Sequence, residues 1–316
     1  MAEFYHEPGG HRDAPHRRNP GGAAGGRIRI GISGWRYAGW RGRFYPPELR
    51  QRDELSYASR HFDTIEINGT HYSLQRPEFF TEWHDAVPDD FVFAVKGSRF
   101  ITHMKQLRDC EAALANFFAQ GVLRLGAKLG PLLWQFAPRF VFNAEKLAAF
   151  FALLPRTAEE AAALARRHDH RLAGRAWTEA VDPGHALHHA VEIRHKSFLD
   201  PAFVALLRQH KIALVFADTV DFPYAEDVTA DFLYLRLHGS EELYASGYDE
   251  PALDRWAARI AAWSTGGMPD DAQLIDPVWR PPRRRRDVYV YFDNDAKVRA
   301  PFDAQALRRQ LATPPS

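Results

Sequence analysis

Hydrophobic and polar positions along this chain change period repeatedly. Short runs rich in β-branched and aromatic residues, "RIRIGIS" at 27–33, "DTIEIN" at 63–68, "FVFAVK" at 91–96 and "GPLLWQF" at 130–136, are each followed by a longer stretch. The alternation continues through "HAVEIR" at 189–194, "IALVFAD" at 212–218, "DFLYLRLHG" at 231–239 and "DVYVYFDN" at 287–294. Runs of this length and composition read as buried strands. The stretches between them, such as "RPEFFTEWHDAV", "NAEKLAAFFALL", "DPAFVALLRQH" and "DEPALDRWAARIAAW", have helical period. Several open on Asp, Asn or Thr, whose side-chain oxygen can satisfy the free amides of a first helical turn.

Strands alternating with helices predict a parallel sheet, and eight units predict its closure into a single (β/α)8 TIM barrel. An open doubly wound sheet is the alternative. The barrel domain is expected over residues 27–312. The Gly-, Pro-, His- and Arg-rich opening, residues 1–26, has too little apolar surface to fold and is expected to be a disordered tail.

Polar residues are not scattered within the predicted strands; they collect where the strands end. Three runs finish with a pair at i, i+2: Glu66 with Asn68, Glu192 with Arg194, and Arg236 with His238. That spacing puts both side chains of a pair on one face of a strand. Lys96, Gln135, Asp218 and Asn294 stand near the ends of four others. In a parallel barrel these ends gather at one mouth, where barrel enzymes hold their active sites. Glu66, Glu192 and His238 are therefore the candidate catalytic acids and bases. Lys96, Arg194 and Arg236 are candidates for holding phosphate or carboxylate, with Asn68, Gln135, Asp218 and Asn294 as further substrate-binding positions. Trp35, in the glycine-rich loop "SGWRYAGWRGRFYP", offers a ring for stacking, and Tyr72 and His103 follow the second and third strands. The competing reading is a structural ion-pair network that plugs the barrel.

Composition narrows the function without choosing it. The 316 residues carry 41 Lys plus Arg against 40 Asp plus Glu, so no global field draws the chain to nucleic acid or an anionic membrane. The single Cys110 excludes an internal disulfide, and no apolar run approaches the roughly 20 residues of a membrane span. With no apolar segment of a secretory leader near the start, a cytoplasmic location is expected. The expected partner is a small anionic substrate of sugar or nucleotide type, acted on by a hydrolase or an isomerase/lyase without a cofactor. One alternative is a hydrolase whose divalent metal is held by Glu66, Glu192, Asp218 and His238, although no HExxH spacing supports it. Another is a non-enzymatic nucleic-acid binder using the tail, the tryptophan loop and the Arg283–Arg286 run, which otherwise reads as a solvated loop.

The segments "GISGWRYAGWRGRFYP", "FDTIEINGTHY", "FAVKGSRFITH", "GPLLWQF", "VEIRHKSF", "RLHG" and "YVYFDND" occur in an order and spacing that resemble the YecE-like family, domain of unknown function 72. The resemblance spans about residues 28–311 and implies a TIM barrel with no established activity. Two departures stand out. Gly69, Thr70, His71 and Tyr72 replace the family's usual Ser-Thr-Phe-Tyr, and Phe198 follows Ser197 where the family often has Trp.

Overall fold

The computed structural model describes residues 25–239, 247–294 and 298–312. Its eight strands are β1 (Ile28–Ser33), β2 (Thr64–Ile67), β3 (Val92–Lys96), β4 (Leu129–Gln135), β5 (His189–Glu192), β6 (Ala213–Asp218), β7 (Phe232–Leu237) and β8 (Asp287–Phe292). All neighbours pair in parallel, and β8 returns to β1 with Ile28 opposite Val288 and Ile32 opposite Phe292, which closes the barrel. Seven of the strands lie within the apolar runs that predict them, and β4 begins one residue earlier, at Leu129.

The helices surround the barrel, and several begin as the sequence suggests. Asn143, Thr157, Asp200 and Asp249 each accept a hydrogen bond from a backbone amide of the turn that follows. The β4–β5 connection carries two helices, Ala144–Leu153 and Ala158–Ala165. The β6–β7 connection carries none and is bound by its own carboxylates: Asp227 accepts from the amides of Ile275 and Asp276, and Glu226 from Arg259 and the amide of Gln273. The loop before β8 therefore packs where a helix would sit. Among the described residues no helix is long and apolar enough to cross a membrane.

Side-chain alternation divides the core in two. One parity of each strand faces the helices and forms the larger apolar cluster. The other faces the barrel interior, where Val92, Ala94, Leu133, Ala190, Val215 and Phe232 lie with Tyr234, Tyr289 and Tyr291. The interior is narrow between β1 and β2. A Cβ on Gly31 would lie 1.7 Å from the carbonyl oxygen of Thr64, so only glycine fits that approach.

Of the expected tail, residues 1–24 lie outside the described residues. Gly26 belongs to the folded part, because its amide donates to the carbonyl of Ser264 at 2.8 Å.

Candidate functional site at the barrel mouth

Moving toward the mouth, the inward-facing side chains change from apolar to hydroxylated to charged. Tyr291 and Thr64 share a hydrogen bond of 2.8 Å, and the Tyr234 hydroxyl donates to Glu66 Oε2 at 2.6 Å. Above this layer sits Arg236, fully buried. Its Nε and NH2 donate to the two oxygens of Glu66 at 3.1 and 3.0 Å, NH1 donates to Glu192 Oε2 at 2.7 Å, and NH2 also reaches Asp293 Oδ2 at 2.6 Å. Carboxylates from β2, from β5 and from just beyond β8 thus converge on one guanidinium carried by β7. Such a cation is tolerable in a barrel interior only with this degree of pairing.

The remaining contacts spread from that centre. Ser33 Oγ donates to Glu66 Oε1 at 2.7 Å and accepts from Asn68 Nδ2 at 2.8 Å. Gln135 Nε2 and Arg194 Nε donate to Glu192 Oε1 at 2.8 and 2.9 Å. His238 places Nδ1 3.2 Å from Asp293 Oδ2 and Nε2 3.4 Å from Arg236 NH1. A proton on Nδ1 satisfies both neighbours. Burial would raise the Glu192 pKa, but Arg236 and Arg194 outweigh it and hold the carboxyl well below its ordinary value. Burial opposes ionisation of Asp293 in the same way, and Arg236 and His238 again prevail.

Three carboxylates, Glu66, Glu192 and Asp293, therefore face three cations, Arg194, Arg236 and Lys96. Lys96 is the inward residue at the end of β3, and desolvation together with repulsion by Arg236 lowers its pKa to about 8. Two imidazoles stand beside it. The rings of His71 and His103 are 5.2 Å apart, His71 Nδ1 lies 2.8 Å from the Gly97 carbonyl, and His103 Nδ1 lies 2.8 Å from Thr102 Oγ1. Burial first, then nearby cations, push their pKa values down to about 3 and about 4, so both rings are neutral at physiological pH.

The geometry revises several expectations. Arg236 has its whole guanidinium engaged by protein groups, which leaves no N–H for a substrate anion. Both oxygens of Glu66 are likewise saturated, by Ser33, Tyr234 and Arg236. Glu66, Glu192 and His238, expected to be the acids and bases, are all almost completely buried in the ion-pair network. Asp218 and Asn294 have the outward parity of their strands. Asp218 accepts from the Tyr248 hydroxyl at 2.8 Å, and Asn294 donates to Asp303 at 2.8 Å, so neither joins the cluster. The proposed metal ligands are separated in consequence, and among the described residues no group of three or more His, Cys, Asp or Glu side chains could hold a metal ion.

Trp35 and Trp40 are buried, Trp35 packing edge-on against Trp83 at 5.5 Å. Trp35 lines, with Tyr37, Asn68, Gln75 and Trp83, a cavity of about 280 Å³ beside the mouth. Tyr72 is exposed under the Arg99 guanidinium, 5.4 Å from the ring centre. Of the arginine run, Arg283, Arg284 and Arg285 are exposed and Arg286 is buried; the run precedes β8 and lies at the end of the barrel opposite the mouth.

Ser33, His71, Tyr234 and Asp293 escape the sequence reading. Asp293 had a signal: it continues the inward parity of Tyr289 and Tyr291, whereas Asn294 does not.

Comparison with known proteins agrees with this architecture. The curated relatives include the UPF0759 protein YecE of Escherichia coli (strain K12), 32% identical over 123 residues, covering 34% of this chain and 43% of YecE. The UPF0759 protein YunF of Bacillus subtilis (strain 168) is 27% identical over 126 residues, covering 38% of this chain and 44% of YunF. The matched segments thus span less than half of these relatives. A solved DUF72 family protein from Thermotoga maritima MSB8 superposes with a TM-score of 0.67 at 24% identity, over 91% of this chain and 100% of that one. Another, from Enterococcus faecalis V583, gives 0.61 at 18% identity, over 92% of this chain and 97% of that one. At these identities the solved structures speak to fold alone. The family profile described as protein of unknown function DUF72 matches residues 29–316, nearly the whole of the described barrel, and the chain belongs to that family.

Proposed function

We propose that the chain is an enzyme that binds a small anionic substrate, with phosphate or carboxylate on a sugar- or nucleotide-type frame, at the barrel mouth and works on it by acid/base chemistry. The observation that carries this reading is the division of labour among the cations. Arg236 is consumed by three carboxylates, whereas Lys96 and Arg194 stand on the mouth side of that network, Arg194 with its guanidinium 4.4 Å from the Phe222 ring centre. The network makes a rigid base; Lys96 and Arg194 give the floor of the mouth its positive character.

Proton transfer then falls to groups that are not saturated. His71 and His103 are neutral imidazoles, and the His71 contact to the Gly97 carbonyl fixes its proton on Nδ1, which leaves Nε2 as an acceptor. Glu192 remains the carboxylate that orients Arg194 and Gln135. The test is calorimetric titration with inorganic phosphate and ribose 5-phosphate at constant ionic strength. Saturable binding to the wild-type chain, weakened at least about tenfold in Arg194→Gln, is expected, since a charge-assisted contact contributes about 1.5–3 kcal/mol. Equal response to chloride, or no loss in the variant, would refute the reading.

A further inference from the structure

Among the described residues two lysines are buried, and they are held in opposite ways. Lys128, about 5% exposed, gives its ammonium protons to the carbonyls of His84 and Val87 at 2.8 and 2.9 Å, with Asp89 at 3.8 Å. Lys96, about 7% exposed, has no hydrogen bond or ion pair to its Nζ among the described residues. The Lys96 Nζ is not among the fully buried unpaired atoms and so keeps a path to solvent at the mouth, whereas an ammonium that serves only stability would be arranged like Lys128.

The surroundings of Lys96 are built with some care. Thr70 Oγ1 donates to its carbonyl at 2.7 Å, and the Gly97 amide donates to Leu133 at 2.7 Å. A Cβ on Gly97 would lie 2.3 Å from the Trp134 ring, so the strand end is pressed into place. The charged groups that act on Lys96 from the neighbouring elements are Glu66 on β2, Glu192 on β5, Arg236 on β7 and Asp293 after β8, with His71 and His103 from the loops after β2 and β3. Arg236 and desolvation outweigh the carboxylates. Roughly a quarter of the amine is then unprotonated at pH 7.5, compared with about one part in a thousand for an ordinary lysine.

We infer that Lys96 is a nucleophilic amine that condenses with the carbonyl group of an anionic aldehyde or ketone to form an imine. This deepens, and rests on, the reading of the mouth as an anion-substrate site. The Nζ lone pair forms the C–N bond while the carbonyl π pair moves to oxygen. That oxygen leaves as water, and both protons of the neutral amine depart in it as the C=N bond forms. His71 Nε2 relays those protons. Arg194 holds the anionic group of the substrate. The imine then draws electrons from the adjacent carbon, the chemistry of a lyase or isomerase rather than of a hydrolase.

The probes are pyridoxal 5′-phosphate, an aldehyde that carries a phosphate, and glyoxylate, a smaller aldehyde that carries a carboxylate. The full chain is treated with each at pH 7.5, reduced with borohydride, and mapped by peptide mass spectrometry over its seven lysines. Lys96 is expected to be labelled about 10-fold or more faster than the exposed Lys211, with a rate that rises through pH 8. Lys96→Arg, which keeps the cation, should lose that adduct while retaining its circular dichroism spectrum. Labelling of Lys96 by both probes no faster than Lys211 would overturn the inference. Phosphate binding, measured separately on the wild-type chain, distinguishes the two failures: binding without labelling removes only the imine, and labelling without binding removes only the anion reading.

Discussion

At the scale of single residues, the two sides of the mouth predict opposite responses to substitution. Lys96 has a folded-state pKa of about 8 against the ordinary 10.5, so between these values the unfolded chain binds more protons and stability rises with pH. The penalty is fully present below pH 8. Lys96→Met should therefore stabilise the protein at pH 7, on the order of 1–3 kcal/mol, with the gain gone above about pH 10.5. Thermal unfolding at pH 7 and 10.5 checks this, and a lower melting temperature for the variant at pH 7 would show that Lys96 supports the carboxylates. Glu192 behaves in the other sense. Its carboxyl is held below the ordinary value, so it contributes stability above the unfolded pKa that is lost as pH falls through the folded one. Glu192→Gln strips compensation from Arg194 and Arg236 and should cost about 3–5 kcal/mol at pH 7. A melting temperature lower by about 6–20 °C is expected, since 1 kcal/mol moves a domain of this kind by roughly 2–4 °C. An unchanged value would free Glu192 for chemistry.

At the scale of elements, strand positions were legible because a buried parallel strand is apolar through most of its body, and the eight runs were, with most of their polar residues gathered near one end. The helices were legible from their caps and their period. Side-chain direction was less so. In an all-apolar run nothing marks which parity faces the barrel, and a polar residue one place further on looks equally suited to the mouth. Asp218 and Asn294 were misplaced by that single step, while the i, i+2 pairs Glu192 with Arg194 and Arg236 with His238 carried their own parity and did meet. Pairing between distant strands was invisible: nothing in "VEIR" or "YLRLHG" says that Arg236 will be enclosed by Glu66 and Asp293. Glycines tell the same story. Gly31 reads as a weak strand residue, yet it is where β1 comes closest to the Thr64 carbonyl. Gly31→Ala should force β1 from β2 at a cost of several kcal/mol, beyond the roughly 1 kcal/mol of a typical point substitution. Soluble yield and urea midpoint measure it, and a midpoint equal to that of the wild type would refute the close approach.

At the scale of the whole molecule, closure and the charged network depend on one another. The network has members on β1, β2, β4, β5 and β7 and just beyond β8, so Arg236 gains its third carboxylate only when the first and last strands are joined. That joining brings Ile28 beside Val288, and among the strand pairings it spans the longest stretch of chain. A chain ending before Asp287 would lack β8, Asp293 and the helix Ala300–Ala312 at once. It would expose the edges of β1 and β7, with main-chain groups left unpaired. It would also leave Arg236 without one of its three carboxylates in an interior now open to water. Removing one strand from an open sheet costs that strand's own packing; removing it from a closed barrel abolishes the interior itself. The truncated chain should therefore show no cooperative unfolding transition and should aggregate, as measured by calorimetry and light scattering. A sharp transition retained in that chain would mean that seven strands form a stable sheet unaided, and that the Arg236 network is assembled on the barrel rather than part of what closes it.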